Sequence, residues 1–204
     1  MDISFFHVDL VEVIRAVGYV GVTFAVFAES GLFFGFFLPG DSMLFTAGLL
    51  ASQGFFNIYI LASLIGIAAI VGDSVGYWFG TFVGPAIFTK EDSRFFKKSD
   101  IEKAHAFYDA HGPKAIVLGR FIPIVRTFVP ILAGVAKMEY MTFLKYNIIG
   151  ALIWGVGVTV AGYVLGSVIP DAERYILPLA ILIIATSFIP VVMEYIQKKK
   201  NKRT

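Results

Sequence analysis

Asp73 is the only charged residue from Ser42 to Thr89, and no charge lies between Tyr146 and Pro170. A nearly charge-free apolar run of about 18 residues or more reads as a membrane span. A chain with two such stretches is expected to be a polytopic membrane protein. Composition agrees, with 57% hydrophobic and 16% charged residues and a mean hydropathy of +0.78, against about 45–50% and about 25% in soluble domains. The 204 residues suit one membrane domain, 1–204, with no separate soluble domain. The absence of cysteine excludes a disulfide framework, Cys-ligated zinc, iron–sulfur clusters and a Cys nucleophile. A net charge of +2 does not point to nucleic acid. The opening MDISFFHVDLVEVIRAVG lacks a basic n-region and does not read as a signal peptide.

Residues 1–17 contain a short amphipathic stretch, 8–17, expected at the membrane surface or as the start of the next helix. Residues 18–54 are apolar enough for lipid, yet Glu29, Pro39, Gly40 and Asp41 interrupt them. One straight helix there would place two carboxylates in hydrocarbon and lose a backbone donor at Pro39. A re-entrant hairpin of two half-helices avoids both problems, provided that protein or a wet cavity surrounds its tip. Residues 56–83 read as a transmembrane helix. Residues 90–114 are strongly charged, with Ser99-Asp100 as a candidate cap for a cytoplasmic amphipathic helix over 101–110. Residues 115–136 repeat the interrupted pattern, with Arg120 and Arg126 among apolar residues and with Pro123 and Pro130 as hairpin breakers. Residues 141–168 and 175–196 complete three full transmembrane helices, and 197–204 form a basic tail.

A shift of 86 residues places Ala133-Gly134 on Ala47-Gly48, Gly162-Tyr163 on Gly76-Tyr77, and Gly166 on Gly80. Each half then reads as a broken hairpin followed by one span. A single crossing per unit would invert the second half, so the hairpins would enter from opposite faces and meet near the midplane, as in inverted-repeat transporters. The fold class expected is therefore all-α and polytopic, an inverted repeat with two opposed re-entrant hairpins, three full spans and short amphipathic helices. Lysine and arginine cluster in 90–114 and in the tail, which places both on the cytoplasmic side by the positive-inside rule.

An ionisable group at membrane depth is a functional candidate by default. Glu29 is a candidate proton carrier. Asp41 is one too, or a helix N-cap. Arg120 and Arg126, six apart, would diverge by about 240° on a regular helix, but Pro123 between them allows both to converge on one cavity. Their partners are expected to be Glu29, Asp41 or a phosphate, which arginine binds bidentately. The simplest arrangement pairs the two acids with the two arginines. Asp73 is a secondary candidate, as the neutraliser of an arginine or of an interfacial lysine. His105 and His111 lack any metal-site context. Trp78, Trp154, Tyr77 and Tyr163 read as packing or interface anchors.

These stretches resemble the bacterial DedA family of the VTT (SNARE-associated) domain class. The resemblance rests on ESGLFFGFFLPGD from Glu29 to Asp41, GYWFG from Gly76 to Gly80, GRFIPIVRTFVP from Gly119 to Pro130, and FLKYNIIGALIW from Phe143 to Trp154. It covers roughly residues 20–170. It implies movement of lipids across the bacterial inner membrane, with undecaprenyl phosphate as the foremost substrate and phosphatidylethanolamine as another. It also implies a link to the proton-motive force. The family's two membrane acids and two arginines carry over as Glu29, Asp41, Arg120 and Arg126.

The leading expectation is thus a translocase for a phosphate-bearing lipid, with Arg120 and Arg126 on the phosphate and Glu29 and Asp41 coupling protons. The partners implied are membrane lipids and protons, with no cofactor and no metal. The alternatives are a phospholipid flippase or scramblase and a proton-coupled ion or solute transporter. No phosphatase-type His/Arg/Lys motif occurs, so an enzyme is not expected.

Overall fold

The computed structural model describes residues 10–32, 40–88, 108 and 112–168. Expectations for 1–9, for Pro39 and the first hairpin's tip, for the 101–110 surface helix, for the 175–196 span and for the basic tail lie outside the described residues.

All described elements are helical. They are α1 (Leu10–Gly31), α2 (Gly40–Ser52), α3 (Ile58–Phe88), α4 (Lys114–Gly119), α5 (Pro123–Val135), α6 (Tyr140–Ala151), a π-helical turn (Leu152–Val156) and α7 (Gly157–Val168). Among the described residues, three stretches are long and apolar enough to cross a membrane: Val11–Gly31, Ile58–Phe82 and Tyr140–Val168. The last two match the spans read at 56–83 and 141–168. The first, α1, is two helices, 10–17 and 19–31, that meet at a kink. Gly18 kinks it with φ 59° and ψ −155°, left-handed backbone that glycine adopts at little cost. The kink falls where the amphipathic 8–17 stretch ends. The 13 residues of α2 and of α5 reach only about 20 Å and are half-helices in length.

Sequence punctuation explains the boundaries. The α2 helix ends in a Schellman turn: Phe55 N–H donates to Leu50 O at 3.0 Å and Gly54 N–H to Ala51 O at 3.1 Å, with Gly54 at φ 82°. Asn57 then caps α3, its Oδ1 accepting from the N–H groups of Tyr59 and Ile60 at 3.0 and 3.2 Å. The α5 helix ends in the same kind of turn, Met138 N–H to Ala133 O and Lys137 N–H to Gly134 O, both at 3.0 Å. There a lysine holds the left-handed position, at φ 51°. Pro123 opens α5, and Ile122 before it is extended, as a residue preceding proline prefers. Pro130 corrects the expectation of a second break: it sits inside α5 without ending it.

The two half-helices pack in like fashion. The α2 helix lies against α7, and α5 against α3. A Cβ on Gly48 would strike Thr159 O, and one on Gly162 would strike Phe45 O; one on Gly134 would strike Tyr77 O, and one on Gly80 would strike Ile131 O. These glycines let backbones touch, as small residues do in membrane helix packing. The spacing of these contacts differs from the 86-residue shift. Gly48 and Gly134, like Phe45 and Ile131, are 86 residues apart, but Thr159 and Tyr77, like Gly162 and Gly80, are 82 apart. The ungapped match of the Gly-Tyr pairs is therefore displaced by one helical turn. A turn preserves the face, so the glycine pattern survives the shift.

Large apolar side chains cover the outside, Val20 being 80% exposed and Val168 72%. Glu29, Asp73, Arg120, Arg126 and Asn147 are buried inside. An apolar exterior around a polar interior is what a bilayer solvent selects.

Candidate functional site

The break between α4 and α5 presents the two arginines. Arg120 follows the last residue of α4 and Arg126 lies in the first turn of α5. Pro123 between them starts a new helix axis, so the divergence required of a regular helix does not apply. Both guanidiniums face the indole of Trp154, Arg126 Cζ at 4.9 Å and Arg120 Cζ at 5.9 Å from the ring centroid. The expected convergence holds, around an aromatic ring that the sequence reading took for packing.

The pairing differs from the simplest expectation. Arg126 takes both acids, its Nη2 meeting Glu29 Oε1 and its Nη1 meeting Asp41 Oδ1 at 3.1 Å. Its fork thus ties α1, α2 and α5 together. Glu29 is wholly buried and also accepts from the N–H of Gly40 at 3.2 Å, the first residue of α2. A carboxylate at a helix start is favoured by the dipole and the free N–H groups there. Asp41, with a side chain 20% exposed, is the most open member of the group. Its Oδ1 accepts a second hydrogen bond from Trp154 Nε1 at 2.6 Å.

Arg120 belongs to another network. Its Nη2 meets Asp73 Oδ2 and Asn147 Oδ1, each at 2.5 Å, and Ala69 O at 3.4 Å. Asn147 in turn donates to Ile70 O at 3.0 Å. Asp73 is thus the partner of Arg120, buried in the protein at 3% exposure. Gly150 leaves room for this side chain, since a Cβ there would stand 2.8 Å from Arg120 Cδ. The crossing of α1 and α3 is also glycine-built: a Cβ on Gly31 would lie 2.9 Å from Gly72 O.

Several polar atoms in this region have no hydrogen-bond partner among the described residues: Glu29 Oε2, Ser42 Oγ, Arg120 Nε and Arg126 Nε. Buried groups of this kind are costly unless satisfied, and two of the four are guanidinium donors. No group of three or more acids, histidines or cysteines among the described residues forms a metal cradle.

Sequence reasoning missed Asn147 and the role of Trp154. A signal existed: Asn147 is a polar residue in a charge-free span, and Trp154 follows it by seven positions, two helical turns, on one face. Of the other aromatics, Tyr77 is packed, its ring stacked 4.6 Å from Phe143. Trp78 is 44% exposed on the apolar outside. His105 and His111 lie outside the described residues.

Comparison with known proteins places these residues in context. The sequence profile of the VTT domain matches residues 38–164. Protein DedA of Escherichia coli (strain K12) is 42% identical over 213 residues, covering 98% of this chain and 97% of that protein. An uncharacterized membrane protein of Mycobacterium leprae is 44% identical over 168 residues, 82% of this chain and 75% of its own length. Inner membrane protein YghB of Escherichia coli (strain K12) is 31% identical over 194 residues, 89% and 88% of the two chains. No solved structure matches.

Proposed function

Given that the chain belongs to the VTT-domain (DedA) family, we propose that it translocates a phosphate-bearing lipid, foremost undecaprenyl phosphate, across the bacterial cytoplasmic membrane, coupled to protons. The observation that carries this reading is the grouping of Arg120 and Arg126 around one buried indole inside an apolar shell. Two guanidiniums are expensive in that setting, at roughly 2.5–3.5 kcal/mol each on insertion scales. Anion recognition by a planar fork gives them a use. Arg126 is the phosphate ligand in this scheme, because its fork is now closed by two carboxylates that a phosphate would replace.

Charge counting supports the proton. Glu29, Asp41 and Asp73 face Arg120 and Arg126, three acids against two bases among the described residues. With every group ionised the cluster carries one net negative charge, which burial disfavours. Taking up a proton balances the empty site, and admitting a phosphate requires more. Protonation of Glu29 or Asp41 releases Arg126 to the phosphate, and deprotonation on the cytoplasmic side restores the pairs and expels the ligand. The lipid tail stays in the bilayer throughout.

Two opposed re-entrant hairpins in an inverted repeat suit this scheme, and the like packing of α2 on α7 and α5 on α3 supports them. A cytoplasmic C-terminus and a site without cofactor, metal or covalent chemistry belong to the same proposal. The test is movement of labelled undecaprenyl phosphate and phosphatidylethanolamine between leaflets of proteoliposomes, with and without an inward pH gradient. Movement of the polyprenyl phosphate that needs Arg126 and quickens with the gradient is expected. Equal movement of both lipids would indicate a scramblase. Flux of a soluble ion without lipid movement would overturn the reading.

A further inference from the structure

Trp154 touches Asp41 and both arginines. Its indole N–H donates to Asp41 Oδ1 at 2.6 Å, the same oxygen that Arg126 Nη1 meets at 3.1 Å. The face of its ring lies against both guanidiniums. It is 2% exposed, so these contacts form in a low-dielectric interior where cation–π attraction is strongest. It stands in the middle of the π-helical turn Leu152–Val156, a local widening that recurs at functional sites in helical proteins. Wholly apolar packing would leave an indole N–H without purpose, and here it has a charged acceptor.

From this we infer that Trp154 is the positioning residue of the anion site: it holds Asp41 and Arg126 in register and presents the Arg126 guanidinium to an incoming phosphate. The inference rests on the phosphate-lipid reading and extends it to a residue with no charge of its own. When a phosphate takes the Arg126 fork, Asp41 loses that partner. Trp154 keeps the freed carboxyl in place through the indole N–H and keeps Arg126 flat against its ring. The phosphate then meets a fork already oriented, with less side-chain entropy to lose.

The chain has two tryptophans, Trp78 and Trp154, so Trp78→Phe leaves one indole to observe. In that full-length protein, solubilised in detergent without ligand, the 15N-indole resonance of Trp154 is expected at the position of a strongly hydrogen-bonded N–H. It should move on Asp41→Ala and on Arg126→Ala but not on Glu139→Ala. An unmoved signal on Asp41→Ala overturns the inference. In proteoliposomes, Trp154→Phe keeps a ring and loses the donor; it is expected to raise the half-saturating concentration of phosphate lipid roughly tenfold, as for one lost charge-assisted hydrogen bond, with the maximal rate little changed. Trp154→Leu loses ring and donor and should weaken it further. Thermal unfolding of both variants separates misfolding from mispositioning. If Arg126→Ala abolishes lipid movement while both Trp154 variants saturate like the parent, the inference falls and the lipid-phosphate reading stands. If Arg126→Ala moves lipid normally, that reading falls and takes the inference with it.

Discussion

Gly40 and Glu29 form a lock between two helices: the N–H of Gly40 donates to Glu29 Oε1 at 3.2 Å, and a Cβ at position 40 would occupy the space of the Glu29 carboxylate. The acid sits where it does because residue 40 has no side chain. Gly40→Ala is therefore expected to displace Glu29 from Arg126 and to cost about 1–3 kcal/mol as an overpacked site. In a Glu29→Ala background the same change should cost almost nothing. A double-mutant cycle by thermal unfolding measures this coupling, and additive costs would mean that the lock is unimportant.

The two arginines should respond differently to lysine. Arg126 uses both terminal nitrogens, one for each acid, and an ammonium cannot reproduce that fork. Among the described residues, Arg120 meets Asp73, Asn147 and Ala69 through Nη2. Arg126→Lys is expected to abolish lipid movement and Arg120→Lys to retain part of it. Full transport by Arg126→Lys would refute bidentate recognition.

Removal of Arg120 should show in stability before it shows in transport. Arg120→Ala leaves Asp73 and the Oδ1 of Asn147 buried without their donor. Breaking one side of a buried pair costs about 3–5 kcal/mol. Replacing both partners, Arg120→Leu with Asp73→Leu, should recover most of that loss in a thermal melt. If the double variant is no more stable than Arg120→Ala, the cost arises elsewhere.

Glycines at the half-helix crossings should not tolerate alanine. At Gly48 and Gly134 a Cβ would meet backbone, Thr159 O and Tyr77 O, which cannot swing aside. Gly66 is a control, because its Cβ would meet only Val156 Cγ2, at 3.3 Å. Gly48→Ala and Gly134→Ala are expected to lower the unfolding temperature clearly and Gly66→Ala only slightly.

Lys137 is the mirror case, a side chain where glycine would be better. Its φ of 51° ends α5, and left-handed backbone costs roughly 1–2 kcal/mol for a residue with a Cβ. Lys137→Gly should raise stability by up to about 1 kcal/mol. An unchanged or lower melting temperature would show that the lysine side chain contributes at that turn.

Much of the site was legible because charge in an apolar run has few innocent explanations. Glu29, Asp41, Arg120 and Arg126 stood out for that reason, and the Pro123 break that lets the arginines converge was visible too. Pro130 misled, since a proline inside a helix whose neighbours supply the packing need not end it. Asn147 and Trp154 were passed over because neither is charged and both have ordinary packing roles in membrane helices.

What the sequence by itself determined is the solvent, the helical class, the positions of two long spans and the identity of the charged residues, because each follows from local composition and from what hydrocarbon excludes. Which acid meets which arginine was decided only by the tertiary structure. Glu29, Asp41, Asp73, Arg120, Arg126 and Trp154 come from α1, α2, α3, the α4–α5 break, α5 and the π-helical turn. Their pairing depends on helix crossings set by glycine contacts such as Gly31 with Gly72 and Gly48 with Thr159. A shift of one turn at a crossing leaves the sequence pattern equally satisfied and changes every partner. Three-dimensional packing selects one register among those that the pattern permits.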